Sequence, residues 1–218
     1  METIRIEVDG RGVARLVLAR AGKHNALSAQ MIDELTDAAG RLGRDPAVRV
    51  VVLAADGPTF CAGGDLAWMQ AQMAADGAAR AREATKLAMM LQALNEMPKP
   101  LVGAVHGNAF GGGVGMISVC DVAVGVEPAR FGLTETRLGI IPATIGPYVI
   151  ARMGEAMAPA RAARGRPGGW GCWQARLLLR IWRRRWRQRS CPTCLARLAR
   201  WPRRSGLPGG LARRSTSG

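Results

Sequence analysis

Two glycine-rich stretches could do chemistry with their backbone alone, and their key glycines, Gly64 and Gly112, lie 48 positions apart. The first runs Asp56-Gly57-Pro58-Thr59-Phe60-Cys61-Ala62-Gly63-Gly64-Asp65, and the second runs His106-Gly107-Asn108-Ala109-Phe110-Gly111-Gly112-Gly113-Val114-Gly115. Each leaves an apolar, strand-like run and opens what reads as a helix. A strand, a glycine turn and a helix N-terminus together present unpaired N–H groups to an anion or a developing oxyanion. Two such N–H groups converging on one carbonyl oxygen form an oxyanion hole, in which each donor is worth roughly 3–4 kcal/mol of transition-state stabilisation. Glycine suits these positions because it brings no side chain and tolerates unusual φ. A tight turn in a packed domain is the other reading of the same loops. Neither stretch contains G-x-G-x-x-G or ends in Lys-Ser/Thr, so phosphate loops of those kinds are unsupported.

The elements that must carry these loops alternate strand and helix. Ile4, Ile6 and Val8, a turn at Asp9-Gly10-Arg11-Gly12, and Val13, Leu16 and Leu18 predict a hairpin. After the polar loop Ala21 to Leu27, Ser28 is placed as an N-cap, and Met31, Ile32, Leu35, Ala38, Ala39 and Leu42 recur at helical spacing. Val48 to Ala54 is a continuous apolar run, the pattern of a strand buried on both faces. Asp65 is positioned to cap a helix carrying Leu66, Trp68, Met69 and Met73. A longer helix with Ala84, Leu87, Ala88, Leu91 and Leu94 on one face is expected to run to Met97 before Pro98. Pro100 to Val105 and Val122 to Val126 read as strands, and Tyr148, Val149, Ile150 and Met153 as a short final helix. The alternation predicts an α/β protein.

Met69, Met73, Met89, Met90 and Met116 read as core or channel lining, and Cys61 and Cys120 as small core residues. His106, at the end of a strand, reads as a satisfied structural residue, while His24 lies in a surface loop and stays ambiguous.

Charge divides the chain sharply. The formal net charge is +15, yet all 16 acidic residues lie before residue 156, and every basic residue after it is Arg. Five of the six tryptophans, Trp170, Trp173, Trp182, Trp186 and Trp201, fall in that basic segment. The chain has no apolar run of membrane-spanning length, and its first residues alternate like a strand rather than a secretory leader. Five cysteines without a leader are read as reduced, cytoplasmic thiols.

Phe60-Cys61-Ala62-Gly63-Gly64-Asp65-Leu66, His106-Gly107-Asn108-Ala109-Phe110-Gly111-Gly112-Gly113 and the third stretch Phe131-Gly132-Leu133-Thr134-Glu135 with Leu138-Gly139-Ile140-Ile141-Pro142 together resemble the crotonase (enoyl-CoA hydratase/isomerase) superfamily. Within it, Thr134-Glu135 and Ile141-Pro142-Ala143-Thr144-Ile145-Gly146-Pro147-Tyr148 look most similar to the bacterial methylglutaconyl-CoA hydratases of leucine breakdown. The resemblance implies a β-β-α spiral core over residues 1–157. It implies an acyl-CoA thioester substrate, with CoA as part of the substrate, no separate cofactor and no metal. It assigns the oxyanion hole to Gly64 and Gly112 and the acid–base role to Glu135. Contacts to CoA fall to Lys23, His24, Ala62, Asp65 and Leu66, beside the two glycines. Many family hydratases carry a second glutamate, and the position that would hold it is Gly115, so hydration here falls to Glu135 or another group. Isomerisation needs only one base. The resemblance also implies homotrimers or dimers of trimers.

Residues 158–218 match nothing in that pattern. Arg161-Ala162-Ala163-Arg164-Gly165-Arg166-Pro167 and Arg183-Arg184-Arg185-Trp186-Arg187 are typical of the composition. We read this segment as an irregular, frameshift-derived basic tail beginning just after Met157, in place of the family's closing helices. Arg–Trp interleaving would bind polyanions non-specifically. Cys191-Pro192-Thr193-Cys194 is a single C-x-x-C with no second pair, a weak metal signal. A chain lacking the closing helices is then expected to be prone to aggregation and inactivity.

Overall fold

The computed structural model of the chain describes residues 1–135 and 139–154. The sequence readings for residues 155–218, including the basic tail, and for residues 136–138 lie outside the described residues.

The hairpin forms as its alternation dictates. Strands β1 (Ile4–Val8) and β2 (Val13–Leu18) pair antiparallel, with Ile4 opposite Leu18 and Ile6 opposite Leu16. Gly12 closes the turn at φ +78, and a β-carbon there would lie 2.6 Å from the Ala47 carbonyl oxygen, so no other residue fits. Helix α1 (Ala29–Arg44) begins where Ser28 Oγ accepts the Met31 N–H at 3.2 Å. Its inward stripe is Met31, Ile32, Leu35, Ala38, Ala39 and Leu42, all buried. Strand β3 (Val50–Ala55) then lies parallel to β2.

From β3 onward one unit recurs. A strand of the large sheet leads to a short strand of a second sheet, and then to a helical segment. β3 leads to β4 (Thr59–Cys61) and then helices α2 (Leu66–Ala74) and α3 (Gly77–Asn95). β5 (Leu101–Val105) leads to β6 (Asn108–Phe110) and helix α4 (Gly112–Val119). β7 (Val122–Gly125) leads to β8 (Phe131–Gly132) and a 3-10 turn holding Glu135. Helix α5 (Gly146–Met153) follows.

The large sheet runs β1-β2-β3-β5-β7, and all pairings after the hairpin are parallel. The small sheet runs β4-β6-β8, also parallel. Parallel pairing stacks successive turns of chain in register, so the loops leaving β4, β6 and β8 emerge side by side. That stacking positions the site. It is the β-β-α spiral the motifs implied.

The short strands β4, β6 and β8 were not expected: two or three residues each, flanked by glycines, they read as loop. Helix α4 starts inside the glycine run, at Gly112. Its eight residues are all buried, with Gly113 laid so close on β4 that a β-carbon would sit 2.8 Å from Cys61 Cβ. At its other end the Arg152 guanidinium donates to the Ser118 carbonyl at 3.0 Å, satisfying an orphan carbonyl at the negative end of the helix. Helix α3 stops at Asn95, short of Met97.

Cys61 and Cys120 are core residues, each thiol pushed up to about 12 by burial. Met90 and Met116 are core as expected, whereas Met73 and Met89 face outward. Among the described residues no helix is long and apolar enough to cross a membrane.

Candidate active site

The first glycine loop is braced from both sides. Asp65 caps α2, its Oδ1 accepting from Ala67 N at 3.0 Å and Trp68 N at 3.3 Å, while its Oδ2 meets the Arg20 guanidinium at 3.0 Å. Burial works against the Asp65 carboxylate, but these partners outweigh it and hold its pKa below the usual range. On the other side Leu27 N donates to the Gly63 carbonyl at 2.7 Å, and Asp65 N donates to the Leu27 carbonyl at 2.9 Å. This is a one-residue parallel bridge between Leu27 and Gly64. In such a bridge the flanking residues 63 and 65 make the bonds, and the N–H of residue 64 points the other way. Among the described residues it finds no acceptor.

The second loop arrives beside the first. Gly111 is the N-cap of α4 at φ +48, with no side-chain cap, and its N–H donates to the Gly132 carbonyl at 2.9 Å. Gly112 is the first helical residue, so its N–H has no partner within the helix. Among the described residues it has none outside the helix either. A β-carbon on Gly63 would lie 3.2 Å from the Phe110 carbonyl oxygen and 3.9 Å from Gly111 Cα, so the two loops touch. A β-carbon on Gly112 would lie 2.5 Å from Leu27 Cδ1. Leu27, which brackets Gly64 through its backbone, therefore reaches Gly112 with its side chain.

The third loop brings a carboxylate. Glu135 is half-buried, and its Oε1 lies 2.9 Å from where a β-carbon of Gly111 would sit. Gly111 is thus barred to side chains twice, by its positive φ and by Glu135. Glu135 Oε2 is buried and accepts no hydrogen bond among the described residues. Burial raises the Glu135 pKa above the ordinary carboxylate value, and its own backbone N–H only partly opposes this. A carboxyl oxygen buried without a partner among the described residues thus lies against the loop that carries the Gly112 amide.

At the position that would hold a second glutamate, the structure supplies a reason for glycine. A β-carbon on Gly115 would fall 2.6 Å from Ile145 Cγ2 and 3.6 Å from Leu91 Cδ1, and both neighbours are buried. A carboxylate has no room there. Gly115→Glu should destabilise the chain by at least the roughly 1–3 kcal/mol typical of overpacking, with the cost of a buried charge added. Thermal unfolding checks this; a stable Gly115→Glu variant would show that the Ile145 contact is soft.

The residues expected to meet CoA are distributed unevenly. Lys23 is exposed in a 3-10 turn, and His24 is exposed at φ +49 with Nδ1 3.1 Å from Thr59 Oγ1. The His24 carbonyl accepts the Ala62 N–H at 3.0 Å, which joins the Lys23-His24 loop to the exposed Ala62. Leu66, the first residue of α2, is 71% exposed. Asp65 differs, because its carboxylate and its N–H are already spent on the cap, Arg20 and Leu27. His106 is also spent, its Nε2 lying 2.7 Å from the Gly57 carbonyl oxygen.

Sequence reasoning missed Arg20, Asn25, Leu27 and Ile145. Asn25 is fully buried at φ +54 and ties the Ala21 to Leu27 loop to the first glycine loop and β4, donating to the carbonyls of Asp56 and Thr59 at 2.8 Å each. Asparagine in a polar loop is a known tenant of the left-handed region, which is a usable signal. Leu27, an apolar residue just before an N-cap serine, reads only as a helix staple.

With this geometry in view, the relatives are informative. Residues 9–167 match the family model described as enoyl-CoA hydratase/isomerase, past the boundary at 157 drawn from the motifs. The chain is 35% identical over 151 residues to an enoyl-CoA hydratase of Alternaria alternata, covering 67% of this chain and 47% of that protein. It is 33% identical over 138 residues to the mitochondrial methylglutaconyl-CoA hydratase of Homo sapiens, covering 63% of this chain and 40% of that one. An enoyl-CoA hydratase structure from Shewanella pealeana aligns with a TM-score of 0.77 at 33% identity, over 90% of this chain and 74% of that chain. The chain spans 47% to 64% of the length of the first curated relatives it matches. The fold is that of the crotonases. Within that class, the chain belongs to the enoyl-CoA hydratase/isomerase family.

Proposed function

We propose that the protein is an enoyl-CoA hydratase-type lyase, adding water to an α,β-unsaturated acyl-CoA thioester, with a branched acyl group such as 3-methylglutaconyl as its substrate class. The observation that carries this reading is the juxtaposition of two glycine amides that find no acceptor among the described residues with a desolvated carboxyl whose Oε2 has no partner among them. The Gly64 and Gly112 N–H groups would hold the thioester oxygen as negative charge develops on it. Glu135 takes a proton from water as the hydroxyl bonds to the β-carbon, and the double-bond electrons move through the α-carbon onto the oxygen as an enolate. Glu135 then returns that proton to the α-carbon as the thioester carbonyl re-forms. One water is consumed, and the carboxylate ends as it began. The exposed Lys23, His24, Ala62 and Leu66 are the residues proposed to meet the CoA portion. Similarity to the human methylglutaconyl-CoA hydratase supports the branched acyl group.

The closed space at Gly115 favours one second reading, isomerisation. There Glu135 would remove an α-proton from a β,γ-unsaturated thioester and deliver it to the γ-carbon, with the same two amides holding the enolate. Matched α,β- and β,γ-unsaturated thioesters given to the full chain separate the two. Hydration shows as loss of the conjugated-thioester absorbance, and migration of the double bond as its gain. A chain that does neither, yet is retained on heparin and released by salt, would instead be an inactive polyanion binder.

A further inference from the structure

We propose that Leu27 is the positioning residue that sets the spacing of the two amides, its backbone fixing the Gly64 peptide and its side chain fixing Gly112. The inference rests on the oxyanion-hole reading above and adds to it a residue that touches no reacting atom.

Gly64 and Gly112 belong to different turns of the spiral and are joined by no hydrogen bond to each other. The β4–β6 pairing and the contact of Gly63 with Phe110 bring the loops side by side, and the finer spacing of the two peptides falls to a residue that touches both. Leu27 does so in two ways. Its N–H and carbonyl clamp residues 63 and 65 at 2.7 and 2.9 Å, which orients the Gly64 peptide. Its δ1 methyl occupies the space over the Gly112 Cα, where a β-carbon would lie 2.5 Å away. The side chain is 1% exposed, so packing leaves it little freedom to retreat. Its own loop is pinned independently: Asn25 holds it to β4, and Arg20 Nη1 donates to the Ala26 carbonyl at 2.7 Å. In the repeating plan of the fold, Leu27 sits where the first turn of the spiral would place its own short strand, reduced to a single bridge with Gly64. A bridge backbone on one loop and a methyl on the other make Leu27 a spacer of fixed length.

The test uses the full chain with Leu27→Val, which withdraws the δ methyls, and Leu27→Met, which keeps the volume. The probe is dimethylaminocinnamoyl-CoA, whose absorption moves to longer wavelength when its thioester carbonyl is polarised. Leu27→Val is expected to bind the probe but lose most of the red shift, with kcat down about tenfold or more and KM within about twofold. Leu27→Met retains both shift and kcat. A wild-type shift and kcat in Leu27→Val overturn the inference and leave the oxyanion hole standing. Wild-type chain binding the probe with no shift at all overturns the hole itself and the inference with it. A second arm guards against misfolding of the single variant. Gly112→Ala combined with Leu27→Val should be more stable and more active than Gly112→Ala alone, because the vacated methyl space takes the new β-carbon. A pair no better than Gly112→Ala overturns the inference.

Discussion

Glu135→Gln should lower kcat by about 10²–10⁴ while leaving the chain as stable as wild type or more so. The two effects have one cause. Glutamine keeps the shape of the side chain but cannot take or return a proton, so the acid–base step is lost. The ionised carboxylate is poorly supported in the fold, since Oε2 is buried without a partner among the described residues and burial raises its pKa. A carboxyl raised in the folded state contributes stability at pH below its unfolded value, and that contribution is lost as pH rises through the folded value. At neutral pH the folded state therefore carries a penalty that glutamine removes. Thermal unfolding at neutral pH reads this directly. For the rate, the base must be ionised, so the acidic limb of the kcat/KM profile should lie above the ordinary carboxylate range and disappear in Glu135→Gln. Loss of activity with loss of stability would instead make Glu135 a structural residue.

Gly112→Ala should cost about 10²–10³ in kcat, and far more than Gly64→Ala. Both substitutions put a methyl beside a donor amide, and neither glycine has a positive φ that bars alanine. The neighbours decide the difference. At Gly112 the new carbon meets Leu27 Cδ1 at 2.5 Å, on a fully buried side chain in a packed core. Overpacking of that kind costs about 1–3 kcal/mol, and relief comes only by moving the helix terminus that carries the amide. At Gly64 the new carbon meets Met69 Sδ at 3.0 Å, on a flexible thioether that can swing aside. Steady-state kinetics on the pair, with melting temperatures, check the order. Equal losses at both positions would mean that Leu27 yields as easily as Met69.

The parts of this architecture legible in the sequence are those with a local signal. Ser28 and Asp65 announce their caps by residue type, α1 announces its buried stripe by spacing, and the β1–β2 hairpin shows its alternation. The glycine loops stand out as close-approach turns in the sequence, but the residues alone read equally as tight turns in a packed domain. The small sheet was not visible. β4, β6 and β8 are too short to show a period of two, and their pairing joins residues such as Ala109 and Phe131 that are distant in sequence. Glu135 entered through its motif; its meeting with Gly111 follows from strand stacking that no local pattern encodes. Ile145 filling the space at Gly115 and Leu27 touching Gly112 are likewise long-range packing facts. Asp65 shows the opposite limit: the residue was singled out correctly as a cap, but only the structure shows that Arg20 and Leu27 consume its remaining bonding capacity.

The most direct measurement is a crystal structure of the full chain with an acyl-CoA thioester bound. The account predicts the thioester oxygen at about 2.7–3.1 Å from both the Gly64 and Gly112 nitrogens, with the Glu135 carboxyl against the α- and β-carbons. A thioester oxygen held by one amide only, or an acyl chain lying away from Glu135, would contradict it.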